Sequence, residues 1–410
     1  MRGHSSLAIS YRDTKSGGRL CESWPFGLCL GFWVGRRMCS VGLARIAGFE
    51  KSGFPAGHPM RPERVYLALK VLEASGVMRG LRIMEFDRDD GDDCVELLRL
   101  FHEESYIRFV KKMSDIGEGL LDYGDTPAFP QCYEAYSHVV KASAEMCRVL
   151  SQTQHAVNLY GGLHHAQPNR ASGFCVFNDV AIAIRTLWAM GLTRIAYIDI
   201  DAHHGDGVMY PYYSDPNLLI LDFHEDGRYL FPGTGSIEEL GEGKGFGKKV
   251  NIVLPPHAGD ADYLYAFSKI VPSLIRSFKP EVILLQAGVD AHSGDPLTHL
   301  DLSDSGYLQL VSSIHSLSHD VCGGRLIAFG GGGYRLGSVA RCWAALVAEL
   351  AGVEPVEPLS AVARRVFGES GHTYEEVGVS TRQREVLSQT LKNIEALISG
   401  LSRAGWELNA

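Results

Sequence analysis

The segment "YIDIDAHHGDG", residues 197–207, gathers carboxylates and imidazoles at the end of an apolar run. Asp201 and His203 are two residues apart, a spacing that lets both side chains face one side of an extended chain. Asp290, in "AGVDAHSGDP", follows another apolar run and can supply a third ligand. Three protein ligands with an open position are typical of a catalytic metal. The oxygen and nitrogen donors suit Zn²⁺ or Fe²⁺, and the sequence leaves that choice open.

Two adjacent histidines, His164 and His165 in "GGLHHA", can carry out the proton transfers of hydrolysis. Water activated at a metal needs a base, and a leaving amine needs an acid. Adjacent imidazoles need carboxylates to fix their tautomers, and Asp199 and Asp206 can fill that role. Tyr334 follows four glycines, and a phenol on such a loop can stabilise an oxyanion. These residues predict metal-assisted hydrolysis of an amide.

These motifs also fit other interpretations. The charged segment alone also fits a helix cap or hydrogen bonding in a loop. The glycine run also fits a turn or a phosphate cradle, but it lacks the lysine and the following helix of a P-loop. A two-metal site of the ureohydrolase kind needs Asp where this chain has Gly205 and His292. We therefore expect one catalytic metal, with His292 in a supporting or structural role.

The elements that position these residues are predicted by alternating apolar and helical segments. The apolar runs are "HAVNLY", "RIAYIDI", "NLLILDF", "KKVNIVL", "EVILLQAGV" and "RLIAF". Continuous apolar strands separated by helical segments predict an α/β fold with a parallel sheet covered on both faces. Ligands bind such sheets outside the carboxyl ends of the strands. Five of these runs end at ionisable, aromatic or glycine-rich residues, so we expect the site at that edge.

Composition limits the class of function. The net charge of −9 argues against direct nucleic-acid binding through a basic face, and it favours a basic substrate such as a lysine-rich peptide or a polyamine. The nine cysteines include no CxxC, which argues against a disulfide framework and against a cysteine-based zinc site. A reducing cytoplasm is the expected location. No apolar run is long enough to predict a membrane span.

Three regions are expected along the chain. Residues 1–37 are predicted to be a disordered or mis-started extension, with Met38 as a candidate start. Residues 38–370 are predicted to be the catalytic domain. Residues 371–410, which include the amphipathic "REVLSQTLKNIEALISGL", are predicted to be a helical segment packed on that domain.

Several motifs together resemble one family. "GGLHHAQPNRASGFCVFND", "YIDIDAHHGDGV", "FPGTG", "AGVDAHSGDP" and "GGGGYRLGSVARCW" resemble the zinc-dependent histone deacetylases, including their acetoin-utilization branch. Upstream, "GHPMRPERV" and "FHEESYIRFVKKMS" match as well. The resemblance implies the arginase/deacetylase fold, a single α/β domain with an eight-stranded parallel sheet flanked by helices. It also implies removal of acetyl, or a related short acyl group, from lysine side chains.

The resemblance assigns a role to each matching position. The metal ligands would be Asp201, His203 and Asp290. The acid–base pair would be His164 and His165, with Asp199 behind His164 and Asp206 behind His165, and Tyr334 would polarise the carbonyl. The substrate-binding residues would be Phe174 and Phe231 as channel walls, Gly173 lining the channel, and Asp125 holding the substrate backbone at the rim. Composition alone would favour core packing for the two phenylalanines.

One position departs from the family pattern. Asp222, in "LDFHEDG", stands where the family often has Ser beside a structural K⁺. By resemblance, the carbonyls of Asp199, Asp201, His203 and Phe223 would complete that site. A carboxylate there could bind the cation more tightly or turn elsewhere.

Three functions are therefore compared. The first is hydrolysis of acetyl-lysine in proteins or peptides, with acetate as product. The second is deacetylation of an acetylated polyamine, whose enzymes narrow the entrance with insertions that are not evident here. The third is a non-catalytic acyl-lysine reader, which Tyr334 and the full ligand set argue against.

Overall fold

A single sheet organises the molecule. The computed structural model describes residues 38–86, 94–368 and 381–408. The strands within them are β1 (Val41–Ile46), β2 (Arg82–Phe86), β3 (His155–Asn158), β4 (Ile195–Asp199), β5 (Leu218–Glu225), β6 (Lys249–Leu254), β7 (Val282–Gln286) and β8 (Leu326–Phe329). All pair in parallel, in the order β2-β1-β3-β8-β7-β4-β5-β6.

Burial explains why most strands are continuous apolar runs. In each of the six strands β3 to β8, every residue is buried, so neither face of these strands meets water. A strand covered on both faces gains from apolar side chains at every position. Strand β2, at the edge, is exposed or half-buried except at Phe86. No continuous apolar run therefore marked β2 in the sequence. Strand β1 is buried except at Arg45, and this charged residue interrupts its short apolar run.

Helices cover the sheet in two groups. They are α1 (Glu63–Ala74), α2 (Val95–Leu98), α3 (Glu104–Ile116), α4 (Cys132–Val149), α5 (Asp179–Ala189), α6 (Asp206–Met209), α7 (Asp260–Phe278), α8 (Asp304–Cys322), α9 (Leu336–Ala351), α10 (Leu359–Phe367) and α11 (Thr381–Arg403). Helix α9 packs between α1 and α8, and α8 also packs on α7. In the other group, α4 packs on α3 and α5. The predicted α/β fold with an eight-stranded parallel sheet flanked by helices is confirmed.

The loops that leave the carboxyl ends of the strands are held by hydrogen bonds from side chains. Helix α5 begins after Asn178, whose side chain accepts a hydrogen bond from the amide of Ala181 at 2.8 Å. This cap satisfies one of the free amides at the helix start. The Asn178 amide group also donates to the carbonyls of Ala166 and Gly207. One side chain thus ties the loop after β3 to the loop after β4.

The two ends of the chain are described only in part. Residues 1–37 lie outside the described residues, and so does the start of the segment 371–410. Within that segment, α11 is joined to α7 by a hydrogen bond from the Thr390 hydroxyl to the Asp262 carboxylate at 2.6 Å. Among the described residues, no helix combines the length and the apolar character needed to cross a bilayer.

Candidate active site and metal centre

The three predicted metal ligands meet at the carboxyl edge of the sheet. Asp201 and His203 follow β4, and Asp290 follows its neighbour β7. His203 Nδ1 lies 3.0 Å from Asp201 Oδ1 and 3.0 Å from Asp290 Oδ2. One donor atom of each residue lies within 4.8 Å of the others, and all three residues are buried. Two carboxylates and one imidazole therefore converge on one point.

The remaining oxygens of these carboxylates are already held. Asp201 Oδ2 accepts hydrogen bonds from Gln286 Nε2 and from the Gly332 amide, each at 2.8 Å. Asp290 Oδ1 accepts from the Ala202 amide at 2.8 Å. These bonds aim one oxygen of each carboxylate at His203. Burial, together with the charge of Asp201, raises the pKa of Asp290 to about 7. A divalent cation would offset the unfavourable burial of these charged carboxylates. Two carboxylates and one imidazole are donors that fit Zn²⁺ or Fe²⁺.

The glycine run after β8 brings the backbone against these carboxylates. A β-carbon at Gly332 would come 2.0 Å from Asp290 Oδ2 and 2.7 Å from Asp201 Oδ2. Since such contacts are forbidden, only glycine can place its amide where it donates to Asp201. Gly332 therefore serves the predicted metal ligands as well as the loop that carries Tyr334.

The two adjacent histidines each have a carboxylate behind them. His164 Nδ1 lies 2.8 Å from Asp199 Oδ2, and His165 Nδ1 lies 2.7 Å from Asp206 Oδ1. A carboxylate accepts, so Nδ1–H donates and Nε2 of each ring is left for the site. His164 Nε2 is 3.8 Å from Asp201 Oδ1, and the two rings are 4.1 Å apart. Both imidazoles thus adjoin the ligand cluster.

Burial lowers the pKa of both histidines. Burial and the neighbouring His164 lower the pKa of His165 to about 4, against the pull of Asp206. Asp206 also accepts from Gln167 Nε2 at 2.8 Å. Behind His164, Asp199 accepts from the Tyr197 hydroxyl at 2.5 Å. A neutral imidazole at His165 is the form that can take a proton.

Tyr334 stands beside the ligands on the loop before α9. Its amide donates to Asp295 Oδ2 at 2.7 Å, and its ring lies edge-on to Phe174 with centroids 5.7 Å apart. The Arg64 guanidinium lies 5.5 Å from the Tyr334 ring centre. Burial, followed by the charges of Asp290 and Asp201, raises the pKa of Tyr334 well above its usual value. The phenol is therefore a protonated donor at neutral pH.

Aromatic side chains lie where the sequence predicts the approach to the ligands. The Phe231 ring lies 5.1 Å from the His165 ring and 6.4 Å from the His203 ring, and the residue is 43% exposed. An exposed phenylalanine beside two imidazoles is not a core residue. A β-carbon at Gly173 would come 2.5 Å from His165 and 2.9 Å from Phe231. A larger residue at this position would therefore collide with both rings.

Asp125 lies near this approach in a tight turn. Asp122 Oδ1 accepts the amides of Gly124, Asp125 and Thr126 at 2.9–3.1 Å. The Thr126 hydroxyl donates to Asp125 Oδ1 at 3.0 Å and accepts the Phe174 amide at 3.1 Å. This bond links the carboxylate to one aromatic wall. Partial burial and the charge of Asp122 raise the pKa of Asp125 to about 6.

Comparison with known proteins supports the resemblance. The sequence profile of the Histone deacetylase domain matches residues 58–350. The chain belongs to the histone deacetylase family. It is 40% identical to the acetoin utilization protein AcuC of Bacillus subtilis over 321 residues, which are 74% of this chain and 80% of that protein. It is 34% identical to AcuC of Staphylococcus xylosus over 312 residues, with the same coverage of each chain.

A solved structure gives the same result. A histone deacetylase homologue from Aquifex aeolicus superposes with a TM-score of 0.73 and 29% identity, over 87% of this chain and 99% of that chain. The similarity to AcuC assigns the chain to the acetoin-utilization branch of the family. It is therefore a deacetylase, a hydrolase that acts on acetylated substrates, in a family whose members depend on zinc. The alternative of a non-catalytic reader is set aside.

Two further positions bear on the number of cations in this deacetylase. His292 Nε2 lies 2.9 Å from Asp304 Oδ1, a carboxylate that Arg341 also binds. His292 thus has a hydrogen-bond partner outside the ligand cluster. Asp222 is fully buried, and its Oδ2 accepts from the Gly205 amide at 2.8 Å. Its Oδ1 has no hydrogen-bond partner among the described residues.

Several supporting residues were missed in the sequence. Gln286 and Tyr197 lie inside apolar runs, where a single polar residue has no periodic pattern. Asp179, at the start of α5, accepts the amides of Gly162 and Leu163 at 2.8–3.2 Å and so fixes the loop that carries the histidine pair. Each lies within or beside a quoted motif, which was the available signal.

The ligand set makes a direct prediction. Asp290→Ala should lose one equivalent of bound metal and nearly all deacetylase activity, because it removes one of three protein ligands. Metal content by mass spectrometry and turnover of an acetyl-lysine peptide would be measured on the folded variant. Asp320→Ala, at an exposed carboxylate of α8, is the control. Unchanged metal content in Asp290→Ala would contradict the assignment.

Asp206, the carboxylate behind His165, leads to a second prediction. Asp206→Asn should keep its metal but lose about tenfold or more in kcat/KM, since the imidazole loses its orienting partner. A carboxylate stabilises imidazolium, so its loss lowers the pKa of His165. His165 would then stay deprotonated to lower pH, and the acidic limb of kcat/KM should move to lower pH. A pH profile that coincides with that of the wild type would remove Asp206 from the acid–base pair.

Proposed function

We propose that this deacetylase removes acetyl, or a related short acyl group, from lysine side chains of proteins or peptides. The supporting observation is the arrangement at the entrance. Phe231 lies against His165 and His203, and Phe174 lies against Tyr334, so apolar rings border the approach to the ligands. An acylated lysine presents a thin apolar stem that ends in an amide. Such a stem fits a passage with apolar sides and polar groups at its end.

The residues of the chain divide the chemistry. When bound, Zn²⁺ supplies Lewis-acid polarisation of the acyl carbonyl and of the attacking water. His165 accepts the proton of that water through Nε2, while its Nδ1–H stays with Asp206. The water oxygen bonds to the acyl carbon, the carbon–nitrogen bond breaks, and the leaving amine takes the proton that His165 accepted. The products are acetate and the unmodified lysine side chain, and His164 assists by its position beside Asp201.

Tyr334 donates its hydroxyl hydrogen to the acyl oxygen as negative charge develops there. Its raised pKa keeps this hydrogen in place at working pH. The aromatic and cationic neighbours Phe174 and Arg64 hold the ring, and Asp295 holds its backbone. A donor fixed before the reaction costs no reorganisation when charge appears.

Removal of that hydroxyl tests the role of Tyr334. Tyr334→Phe should retain fold and metal but lose about 10²–10³-fold in kcat, the usual effect of one oxyanion donor. Steady-state rates with an acetyl-lysine peptide, together with metal content, would be measured. Tyr229→Phe, at an exposed tyrosine, is the control. A near-normal kcat in Tyr334→Phe would contradict the proposed role.

Asp125 favours a peptide over a polyamine as substrate. Its carboxylate is half-buried, linked to the Phe174 wall through Thr126, and ionised above a pKa of about 6. A carboxylate in that position can accept the backbone amides on either side of the acylated lysine. An acetylated polyamine has no such amides, although its ammonium groups would also be attracted to a carboxylate.

A substrate panel separates these two functions. We expect higher kcat/KM for an acetyl-lysine peptide than for acetylspermidine. Asp125→Asn should raise KM about tenfold or more for the peptide, and should barely change it for N-acetylbutylamine, which lacks a backbone. For the wild type, the peptide KM should rise as pH falls through about 6, because Asp125 is then protonated. Faster turnover of acetylspermidine would favour the polyamine alternative.

We also propose that Asp222 helps to hold a monovalent cation, with K⁺ as the expected ion. Its Oδ1 is buried with no hydrogen-bond partner among the described residues, and Asp222 pairs with Asp199 across β4 and β5. Burial and the charge of Asp199 raise the pKa of Asp222, and a bound cation would relieve both. The carbonyls of Asp199, Asp201, His203 and Phe223 are the expected companion ligands.

Thermal unfolding can test the cation site. A cation bound only by the folded state stabilises it. The wild type should therefore melt at higher temperature in KCl than in tetramethylammonium chloride of equal ionic strength. Asp222→Ser should reduce that difference. Equal melting temperatures in the two salts for the wild type would contradict the site.

The reducing cytoplasm is the compartment we propose for this enzyme. Among the described residues, the cysteines are buried and form no disulfide. Cysteines without disulfides in such number favour a compartment that keeps thiols reduced.

A further inference from the structure

A second cluster of metal-ligating side chains lies at the opposite edge of the sheet. Cys39 precedes β1, and His155 is the first residue of β3, the strand beside it. His315 and His319 are one turn apart on α8. One donor atom from each of the four residues lies within 4.8 Å of the others. The catalytic ligands follow the carboxyl ends of the strands, whereas this cluster stands where strands begin.

The separations within the cluster match those around a tetrahedral metal. Cys39 Sγ lies 3.6 Å from His319 Nε2. His315 Nε2 lies 3.1 Å from His155 Nε2 and 3.1 Å from His319 Nε2. With the usual zinc bond lengths, tetrahedral ligands place nitrogen and sulfur about 3.6 Å apart and two nitrogens about 3.3 Å apart. The three imidazoles therefore present the same nitrogen, Nε2, to one point that the thiol also faces.

The convergence of Nε2 atoms is not well explained by hydrogen bonds among the rings. His315 Nε2 carries either one proton or one lone pair, yet it faces two imidazole nitrogens at the same distance. A cation at the common point would use the lone pairs of all three rings at once.

The surroundings of the cluster also resemble those of a metal site. His315 Nδ1 lies 3.2 Å from Glu349 Oε1, and Glu349 is buried on α9. A carboxylate behind an imidazole fixes its tautomer and is common behind metal-bound histidines. The amide of Cys39 donates to the Ala351 carbonyl at 3.3 Å, which anchors the cysteine to the end of the same helix.

A third group of metal-ligating side chains differs from this cluster, because an arginine already supplies positive charge there. His292, Asp304 and Cys342 also lie close together. There, Arg341 Nε donates to Asp304 Oδ2 at 2.9 Å, so a guanidinium already supplies the positive charge. The cluster of Cys39, His155, His315 and His319 contains a thiol, which binds zinc as the thiolate, and three imidazole nitrogens that converge on one point.

We propose that Cys39, His155, His315 and His319 bind a second Zn²⁺ ion with a structural role. Four protein donors form a closed site, in contrast to the three donors of the catalytic centre. The ion would join the segment before β1 to the start of β3 and to α8. The sequence argued against a cysteine-based zinc site because it contains no CxxC, but this site needs only one cysteine. The inference does not depend on the substrate of the enzyme.

Metal stoichiometry and a cobalt spectrum on the full-length chain test the proposal. We expect two equivalents of zinc in the wild type. Cys39→Ser and His319→Gln should each retain one, Asp290→Ala should retain the other, and Cys39→Ser combined with Asp290→Ala should retain none. Cobalt-loaded wild type should show a thiolate-to-cobalt charge-transfer band in the near ultraviolet. Cys39→Ser should lose that band, and Asp290→Ala should keep it, since the catalytic ligands include no sulfur.

The control is Cys94→Ser, because Cys94 is as buried as Cys39: their exposed fractions are 5% and 6%. This variant should retain two equivalents and the cobalt band. One equivalent in zinc-saturated wild type, with no thiolate band after cobalt loading, would overturn the proposal. So would a band that survives in Cys39→Ser. These two results come from the wild type and from Cys39→Ser, and circular dichroism can verify that both proteins are folded. The proposal can therefore be overturned even if a histidine variant fails to fold.

Discussion

Two carboxylates, Asp201 and Asp290, are buried against a single imidazole at the edge of the sheet, and this concentration of charge governs the architecture around it. Removing such charges from water is costly unless partners or a cation replace the lost hydration. The chain supplies part of the compensation through the Ala202 and Gly332 amides and the Gln286 side chain. The remaining deficit is what makes the point between the three ligands attractive to a divalent cation.

Further carboxylates extend this arrangement along β4 and β5. Asp199 and Asp222 face one another across those strands, and both are fully buried. Asp199 is occupied by Tyr197 and by His164, whereas Asp222 retains an oxygen without a partner among the described residues. The acid–base chemistry, the divalent site and the proposed monovalent site are thus neighbours on the same pair of strands. A change in any one charge alters the energy of the others.

Sequence reasoning succeeded where geometry is forced by topology. The carboxyl ends of parallel strands meet at one edge, so residues that follow different apolar runs had to come together, as Asp201 and Asp290 do. It failed where a residue has no pattern of its own. Gln286 is a lone polar side chain within a strand, and β2 is too exposed to form a continuous apolar run. The cluster around His155 comes from distant segments, and only the spacing of His315 and His319 on one helix face was visible.

The loop between β8 and α9 has a consequence for how this enzyme retains its metal. Gly332 donates to a metal ligand, and two residues later Tyr334 is held through its own amide by Asp295. One short stretch of backbone therefore sets both the orientation of Asp201 and the position of the phenol. A ligand that engages Tyr334 and a cation that engages Asp201 stabilise the same loop conformation. Thermodynamic linkage then requires each to increase the equilibrium affinity of the other, so a ligand bound at Tyr334 would favour retention of a cation at Asp201.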